Sequence, residues 1–233
     1  MRRRNVMGRA RAILLAASLG LLLGLYSVGL GWAFDVRHLE RLMETGQCEQ
    51  CNLDHAELEG YELPDVVLLS ASLLQINLIR ADLRGANIDG ADMRGARLME
   101  ANLEGAKLNQ ADLRGASLND AILNDAGLRL ADLRTASLNR AMLVGANLRE
   151  ANLGEAWLIS AVLENADLRR ARLGLAILRR ANFYGADLED ADLRRADLRD
   201  ADLGNVNLRG ANLSQAIWTD GRVCALDSIG ACR

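Results

Sequence analysis

Between residues 51 and 218 the sequence repeats every five residues, a period that neither regular secondary structure has. Five residues turn an α-helix by about 140°, so the repeated leucines would scatter around its axis. On a flat strand, an odd spacing would send successive leucines to opposite faces. The period is satisfied if the chain turns a corner once per repeat and winds into a solenoid whose leucines all point at one axis.

The register of the repeat is strict. Counted in steps of five from Leu53 to Trp218, 34 successive positions are large and apolar, and Ala stands two residues before 29 of them. Residues two apart point the same way on an extended chain, so both face inward, and a narrow interior needs the small one. Gly often precedes the Ala, where the corner falls, because Gly tolerates corner dihedrals. These glycines are Gly85, Gly90, Gly95, Gly105, Gly115, Gly145, Gly185 and Gly210.

The repeated pattern of Ala, Asp or Asn, Leu and two further residues resembles that of the pentapeptide-repeat proteins over residues 51–218. The resemblance implies an all-β fold, a right-handed quadrilateral β-helix in which four units make one square coil. With coils stacked at the inter-strand spacing of about 4.8 Å, the rod would be roughly 40 Å long. Its two ends would be exposed edges that need protection.

The segment before the repeat predicts a short capping helix. Val36, Leu39 and Leu42 are at helical spacing, and Gly46 follows them as a helix stop. The predicted organisation is therefore a leader at 1–33, a capping helix within 34–50, a β-helix at 51–218 and a C-terminal cap at 219–233.

The leader has a different composition from the rest of the chain. Its first eleven residues carry five arginines and no acid, and residues 12–33 carry no charge. A basic segment before an apolar run is typical of a signal peptide, and Gly31 and Ala33 fit cleavage after Ala33. The alternative is an uncleaved membrane anchor, since about 20 apolar residues span a bilayer. Both alternatives export the repeat. The C-terminal tail resembles those of exported cyanobacterial relatives, which implies the periplasm or the thylakoid lumen.

The four cysteines lie in two pairs at the two ends of the repeat. An even set in an exported chain favours disulfides. A bridge between Cys224 and Cys232 would close a small C-terminal loop. Cys48 and Cys51 are compatible with a disulfide or with free thiols, and Cys51 stands at an inward Ala position. A four-cysteine zinc site is excluded within one chain, because a rod of roughly 40 Å separates the pairs.

Charge and motifs argue against nucleic-acid binding and against catalysis. The chain has a net charge of −3 and the leader holds five arginines and no acid, so the remainder has a charge of −8. A moderately acidic rod is not typical of a nucleic-acid binder. No nucleophile elbow, zinc-protease motif or phosphate loop occurs, and we expect no enzyme activity and no cofactor. His38, on the cap helix, and His55, at a corner, are expected to be solvated.

Units four apart stack on one face, so outward residues form columns in steps of twenty, and one group of columns is apolar. It consists of Ile122, Met142 and Val162 with Val144 beside them, and of Trp157 and Ile177 with Ile159 beside them. A contiguous apolar patch marks a candidate partner surface. The alternative is that these apolar residues are sequence variation without function at outward positions that tolerate them. Arg140 and Arg179 would form its polar rim.

These observations favour an exported, non-catalytic solenoid that acts as a protein-interaction scaffold, binding an unknown protein or a second copy. An alternative is a membrane-anchored structural protein of the envelope or thylakoid, held only through residues 12–33. A third function comes from the resemblance, since some cytosolic relatives imitate DNA and bind gyrase. It fits less well, because this chain has a leader and its acids are interleaved with arginines.

Overall fold

A computed structural model describes residues 35–233, so the leader and the cleavage predicted after Ala33 lie outside the described residues. The described chain forms one helix, α1 (Val36–Thr45), followed by a β-helix. The strands of the β-helix are single bridging residues, each paired in parallel with the residue twenty positions further on, from Gln47 with Val67 to Asp197 with Ile217. One coil therefore contains four five-residue units. Within residues 35–233 no helix has both the length and the apolarity to cross a membrane.

The interior confirms the register read from the sequence. From Leu68 to Leu198, every residue at the two inward positions is exposed by 1% or less. Phe183 is the largest side chain among them. Towards the C-terminal end the packing loosens, and Leu203 and Leu208 are only half-buried. The core is therefore a narrow stack of alternating small and large apolar layers, closed along its length by the backbone of each coil.

Each coil is joined to the next by backbone hydrogen bonds. In a representative unit, the Leu133 N–H donates to the Asn152 carbonyl at 2.7 Å, and the Thr135 N–H donates to the Gly154 carbonyl at 3.1 Å. The Ala136 N–H donates to the Leu133 carbonyl at 3.1 Å and closes the corner. Because the bonds run along the rod, only its two ends have unpaired strand edges.

The corner residue of each unit has a positive φ, as the recurring glycines predicted. The eight predicted corner glycines have φ between 64° and 71°. The same conformation occurs at residues with side chains, for example 56° at Arg80 and 61° at Leu130. A left-handed L-residue costs roughly 1–2 kcal/mol. The corner conformation is thus imposed by the coil, and Gly only relieves its cost.

Helix α1 closes the N-terminal end. Asp35 caps its first turn by accepting the Arg37 N–H at 2.9 Å, and Leu42 is buried against the first coil. His38 was expected to be solvated, but it is half-buried, and its Nδ1 accepts the Asn52 N–H at 3.0 Å. Polar side chains on a cap helix can thus dock it onto the open edge of the first coil.

The ladder begins one unit earlier than residue 51. Gln47 already pairs with Val67, and Cys48 fills the inward position that Leu occupies elsewhere. The sulfurs of Cys48 and Cys51 are 2.04 Å apart, so the two inward residues at this end are joined in a disulfide. The open choice between a disulfide and free thiols is therefore answered in favour of the disulfide.

The C-terminal tail covers the opposite end. It folds back antiparallel to the last coil, pairing Ile229 with Asn212 and Val223 with Ile217. The sulfurs of Cys224 and Cys232 are 2.07 Å apart and close the loop. The tail thus occupies the strand edge that the last parallel coil would otherwise expose.

Candidate interaction surface

Four faces run along the rod, each a stack of units twenty residues apart, and two of them differ sharply. We call six units of one stack the apolar face: 101–105, 121–125, 141–145, 161–165, 181–185 and 201–205. The same stack continues before them through units 61–65 and 81–85. The ion-pair face comprises the units 91–95, 111–115 and 131–135.

The structure brings the predicted apolar columns together. Met142 pairs with Ile122 on one side and Val162 on the other, and Trp157 pairs with Ile177 on the preceding face. Met142 is 41% exposed and Trp157 53% exposed. The remaining members of the predicted patch are half-buried: Ile122, Val144, Ile159, Val162 and Ile177. The candidate patch is therefore centred on two large exposed side chains.

The outward residue before each inward leucine normally has a structural task. Asp132 accepts the Arg134 N–H through Oδ1 at 3.2 Å, and Asn147 accepts the Arg149 N–H at 3.1 Å. This bond satisfies the one backbone donor of the unit that the coil ladder leaves free, which explains why Asp and Asn recur there. Met142 and Trp157 occupy the same position and offer no acceptor.

Asparagines of the preceding coil take over this task beneath the patch. Asn124 Oδ1 accepts the Val144 N–H at 3.0 Å, and Asn139 Oδ1 accepts the Ile159 N–H at 2.9 Å. Asn139 itself donates its N–H to Asn119 Oδ1 at 2.9 Å. These residues were missed by sequence reasoning. The available signal was an Asn located twenty residues before the donor, at the two units where Met142 and Trp157 replace the usual Asp or Asn.

The arginines predicted to form the rim are already engaged by carboxylates. Arg140 Nη2 lies 2.6 Å from Asp120 Oδ2, and its hydrogen bond lowers the pKa of that carboxyl. Arg179 Nε lies 2.6 Å from Asp197 Oδ2, which also accepts a bond from Arg199. The polar rim stays a prediction, and within it the charges of both arginines are compensated by carboxylates of the rod.

The apolar face itself carries carboxylates without ion pairs. Its six units contain no Lys or Arg, and no ion pair among residues 35–233 involves its four acids. Three of these acids are exposed and one, Glu164, is half-buried and accepts a bond from Asn182 Nδ2 at 2.6 Å. The four are Glu104, Asp125, Glu164 and Asp202.

On the ion-pair face, by contrast, acids and arginines alternate along the rod. Arg114 Nη2 lies 2.5 Å from Asp112 in its own unit, and Arg114 Nε lies 3.7 Å from Asp132 in the next coil. Arg94 connects Asp92 and Asp112 in the same way, at 2.6 and 3.8 Å. The hydrogen bond from Arg94 lowers the pKa of Asp92. This face is a continuous zipper of balanced charge.

Within residues 35–233, the histidines, cysteines and carboxylates form no group of three that could hold a metal ion. The regular carboxylates are explained by the backbone bonds and the arginine pairs described above. The candidate functional feature is therefore a surface, made of an exposed apolar centre with unpaired acids around it.

Comparison with solved structures returns pentapeptide repeat proteins. HetL of the cyanobacterium Nostoc sp. strain PCC 7120, involved in heterocyst differentiation regulation, is 30% identical over 81% of this chain and 97% of its own, with a TM-score of 0.33. A pentapeptide repeat protein of the Arabidopsis thaliana thylakoid lumen is 30% identical over 46% of this chain and 65% of its own, with a TM-score of 0.32.

A third similar structure is trypsin-treated QnrB1, a plasmid-mediated fluoroquinolone resistance protein. It is 21% identical over 69% of this chain and 87% of its own, with a TM-score of 0.37. No curated protein matches the chain.

The sequence profile of the pentapeptide repeats matches this chain in 8 copies, over residues 62–98, 96–134, 146–174 and 176–215. The coil of four five-residue units agrees with the β-helix that the resemblance to this family predicts. The chain belongs to the pentapeptide-repeat family.

Proposed function

We propose that this protein is an exported, non-catalytic scaffold that binds another protein, or a second copy of itself, through the apolar patch around Met142 and Trp157. The observation that carries the proposal is the stacking of seven apolar residues from three coils into columns on two adjoining faces. Monomeric proteins seldom leave such patches exposed without use. Large side chains at the centre of a patch tend to carry most of the binding energy.

The rigid rod supports a scaffold function. A coil ladder with every inward position filled leaves no interior cleft in which a substrate is enclosed, and function must be argued from a site. Regular pairing of Asp with Arg lowers the charge density that a DNA-like surface would need. Binding of a protein partner on the outer surface is the function that these features favour.

Export is supported by the basic and apolar leader and by both disulfides. Structural disulfides persist in oxidising compartments such as the periplasm, and in exported proteins generally. Cell fractionation with N-terminal sequencing tests this part of the proposal. A mature N-terminus at Phe34 indicates a cleaved signal peptide, whereas an intact Met1 in the membrane fraction indicates the anchored alternative.

The binding proposal is tested with a Met142→Glu, Trp157→Glu double variant. Both side chains point outward, so the variant should keep the wild-type circular dichroism and melting temperature. We expect it to lose the partner that wild type retains in crosslinking and pull-down from the native compartment, or the dimer that wild type forms in analytical ultracentrifugation.

The matched control is Leu130→Glu, Leu175→Glu, which replaces by acids two other apolar side chains that are 41% and 45% exposed and lie outside the patch. This control should retain the partner and the mass of wild type. If the Met142 and Trp157 variant also retains every partner and the same mass, the patch is sequence variation without a binding function and the proposal is wrong.

A further inference from the structure

We propose that the occupant of the apolar face is a basic amphipathic helix of a partner protein, with its apolar stripe on the patch and its Lys and Arg residues against the flanking acids. This inference rests on the proposed function and adds to it the chemistry of the partner. It is argued from the distribution of charge around the rod and from the spacing of the coils.

Charge on the apolar face is of one sign. Glu104, Asp125 and Asp202 are exposed on its units, and Glu164 is half-buried between Val144 and Tyr184 in one column. None of the four acids has an ion pair within residues 35–233. An unpaired carboxylate beside an apolar patch raises the local cation concentration and selects a complementary partner.

The cations nearest to this face do not cancel its charge. Arg140 and Arg180 stand at the corner that leads into it, and each faces an acid of its own, Asp120 at 2.6 Å and Asp200 at 3.9 Å. Arg84, one coil above, is bonded to Asp82. Arg84 also interacts electrostatically with Glu104, the acid twenty residues further on. The negative potential left for a partner therefore comes mainly from Asp125, Glu164 and Asp202, which have no ion pair within residues 35–233.

The coil spacing suits a helix lying along the rod. Coils repeat at about 4.8 Å, and an α-helix repeats at 5.4 Å per turn, so successive turns would meet successive coils. The apolar residues Ile122, Met142 and Val162 occupy three successive coils, and acids lie above and below them at Glu104 and Asp202. Those limits are five coils apart, about 24 Å, which a helix of about 16 residues covers.

The test uses a synthetic 16-residue peptide of Leu and Lys, with Leu at helical spacing on one face, and a Leu and Glu peptide of the same pattern. Binding to the protein lacking its leader is measured by calorimetry and by the fluorescence of Trp157, at about 0.05 M and about 0.5 M salt. We expect the Lys peptide to bind, with weaker binding at high salt. The Glu peptide should bind at least about tenfold more weakly.

Two charge-matched triple variants locate the binding. Asp125→Asn, Glu164→Gln, Asp202→Asn removes three acids from the apolar face. This variant should lower the affinity for the Lys peptide about tenfold at low salt. Glu44→Gln, Glu49→Gln, Asp227→Asn removes three exposed acids without ion pairs at the two ends of the described chain, and should change its affinity by less than about twofold. Both variants should melt at the wild-type temperature, because none of the six acids is buried.

Equal weakening by the two triples would overturn the inference, because attraction would then follow net charge and not this face. Tight binding of the Glu peptide would overturn it as well. The proposed function fails separately: if Met142→Glu, Trp157→Glu loses the native partner while the apolar-face triple keeps it, the scaffold function stands and the basic partner is wrong. A doubled mass in ultracentrifugation that the triple does not reverse identifies a second copy as the occupant, and also overturns the basic helix.

Discussion

The ion-pair face and the apolar face are built on the same interior, yet their surfaces have almost nothing in common. Both rest on inward apolar layers, which from Leu68 to Leu198 are exposed by 1% or less, and on the same coil ladder. One face then displays arginines and aspartates in alternation, and the other displays Met142, Val162 and unpaired acids. The comparison teaches that inward and outward positions of this repeat vary independently, so a binding surface can be placed on any face without altering the fold.

The two surfaces also differ in what they contribute. Arg114 and Asp112 keep 42% and 29% of their side-chain surface exposed, and such ion pairs are worth at most about 1 kcal/mol each. The zipper therefore gives solubility more than stability. The apolar face leaves hydrophobic area in water, where it contributes nothing to folding and becomes useful only on binding.

The comparison would be contradicted most strongly if the inward positions beneath the two faces responded differently to the same substitution. Leu133→Arg lies under the ion-pair face and Leu143→Arg under the apolar face. Each buries an unpaired charge, and each should lower the free energy of unfolding by more than about 4 kcal/mol, or prevent folding. Urea unfolding measures both.

The control for these variants is Arg149→Leu, at an outward position, which should be tolerated within about 0.5 kcal/mol. Leu148→Arg, next to it, should behave like the other two inward variants. A mild effect at one inward position, or a severe effect at residue 149, would contradict the shared register.

Removing the C-terminal disulfide should affect the two faces differently, because they lie at different distances from the C-terminal end of the rod. Cys224→Ser, Cys232→Ser opens a short loop and should cost about 2 kcal/mol, mostly as fraying of the last coil. The unit 201–205 of the apolar face lies near that end, whereas the units 91–95, 111–115 and 131–135 of the ion-pair face lie several coils before it. Hydrogen exchange should therefore rise in residues 201–218 and stay unchanged in residues 91–135. Uniform loss of protection would show that the rod unfolds as one unit.

The asparagines beneath the patch provide a finer test. Asn139→Ala leaves the Ile159 N–H without its acceptor, and should cost about 1 kcal/mol. Asn139→Asp keeps an acceptor oxygen at the same place, as Asp89 does for the Asn109 N–H, and should be nearly neutral. Thermal melts compare the two variants. Equal losses of melting temperature in the two variants would show that the side-chain acceptor beneath the patch is unimportant.

The smallest expected effect is the pH dependence of the ion-pair face. The hydrogen bond from Arg94 to Asp92, one of the pairs on this face, lowers the pKa of that carboxyl in the folded protein. The stability that these pairs contribute is therefore present above the unfolded pKa of about 3.9 and is lost as the pH falls below it. Melting temperatures between pH 7 and pH 2 should fall mainly below pH 4. Arg94→Gln, Arg114→Gln should flatten this fall, and an unchanged profile would contradict a stabilising role of the zipper.

Much of the architecture was readable in advance because one rule governs the chain. A strict period of five determines which residues face inward, and the twenty-residue coil then determines which outward residues stack. The columns of Met142 and Trp157 follow from counting alone, and so does the positive φ at corners such as Gly145. The short helix α1 followed from its apolar spacing and from Gly46.

What could not be read depends on side-chain conformations and on departures from the consensus. The period places Arg140 and Arg179 beside the patch, but only coordinates show that Asp120 and Asp197 hold them. The first unit was overlooked because Cys48 replaces the usual Leu. The contact of His38 with the first coil depends on how a helix docks, which no period specifies.

The twenty-residue coil also determines how such a gene can change in length. Loss or gain of four units removes or adds a whole coil, and every column beyond that point stays in line with those before it. Loss of a single unit preserves the inward register but turns everything beyond it by a quarter of the circumference. A one-unit deletion between residues 122 and 142 would thus put the two apolar residues on different faces, in a rod that still folds. A binding surface in this chain is therefore preserved only when units are gained or lost in multiples of four.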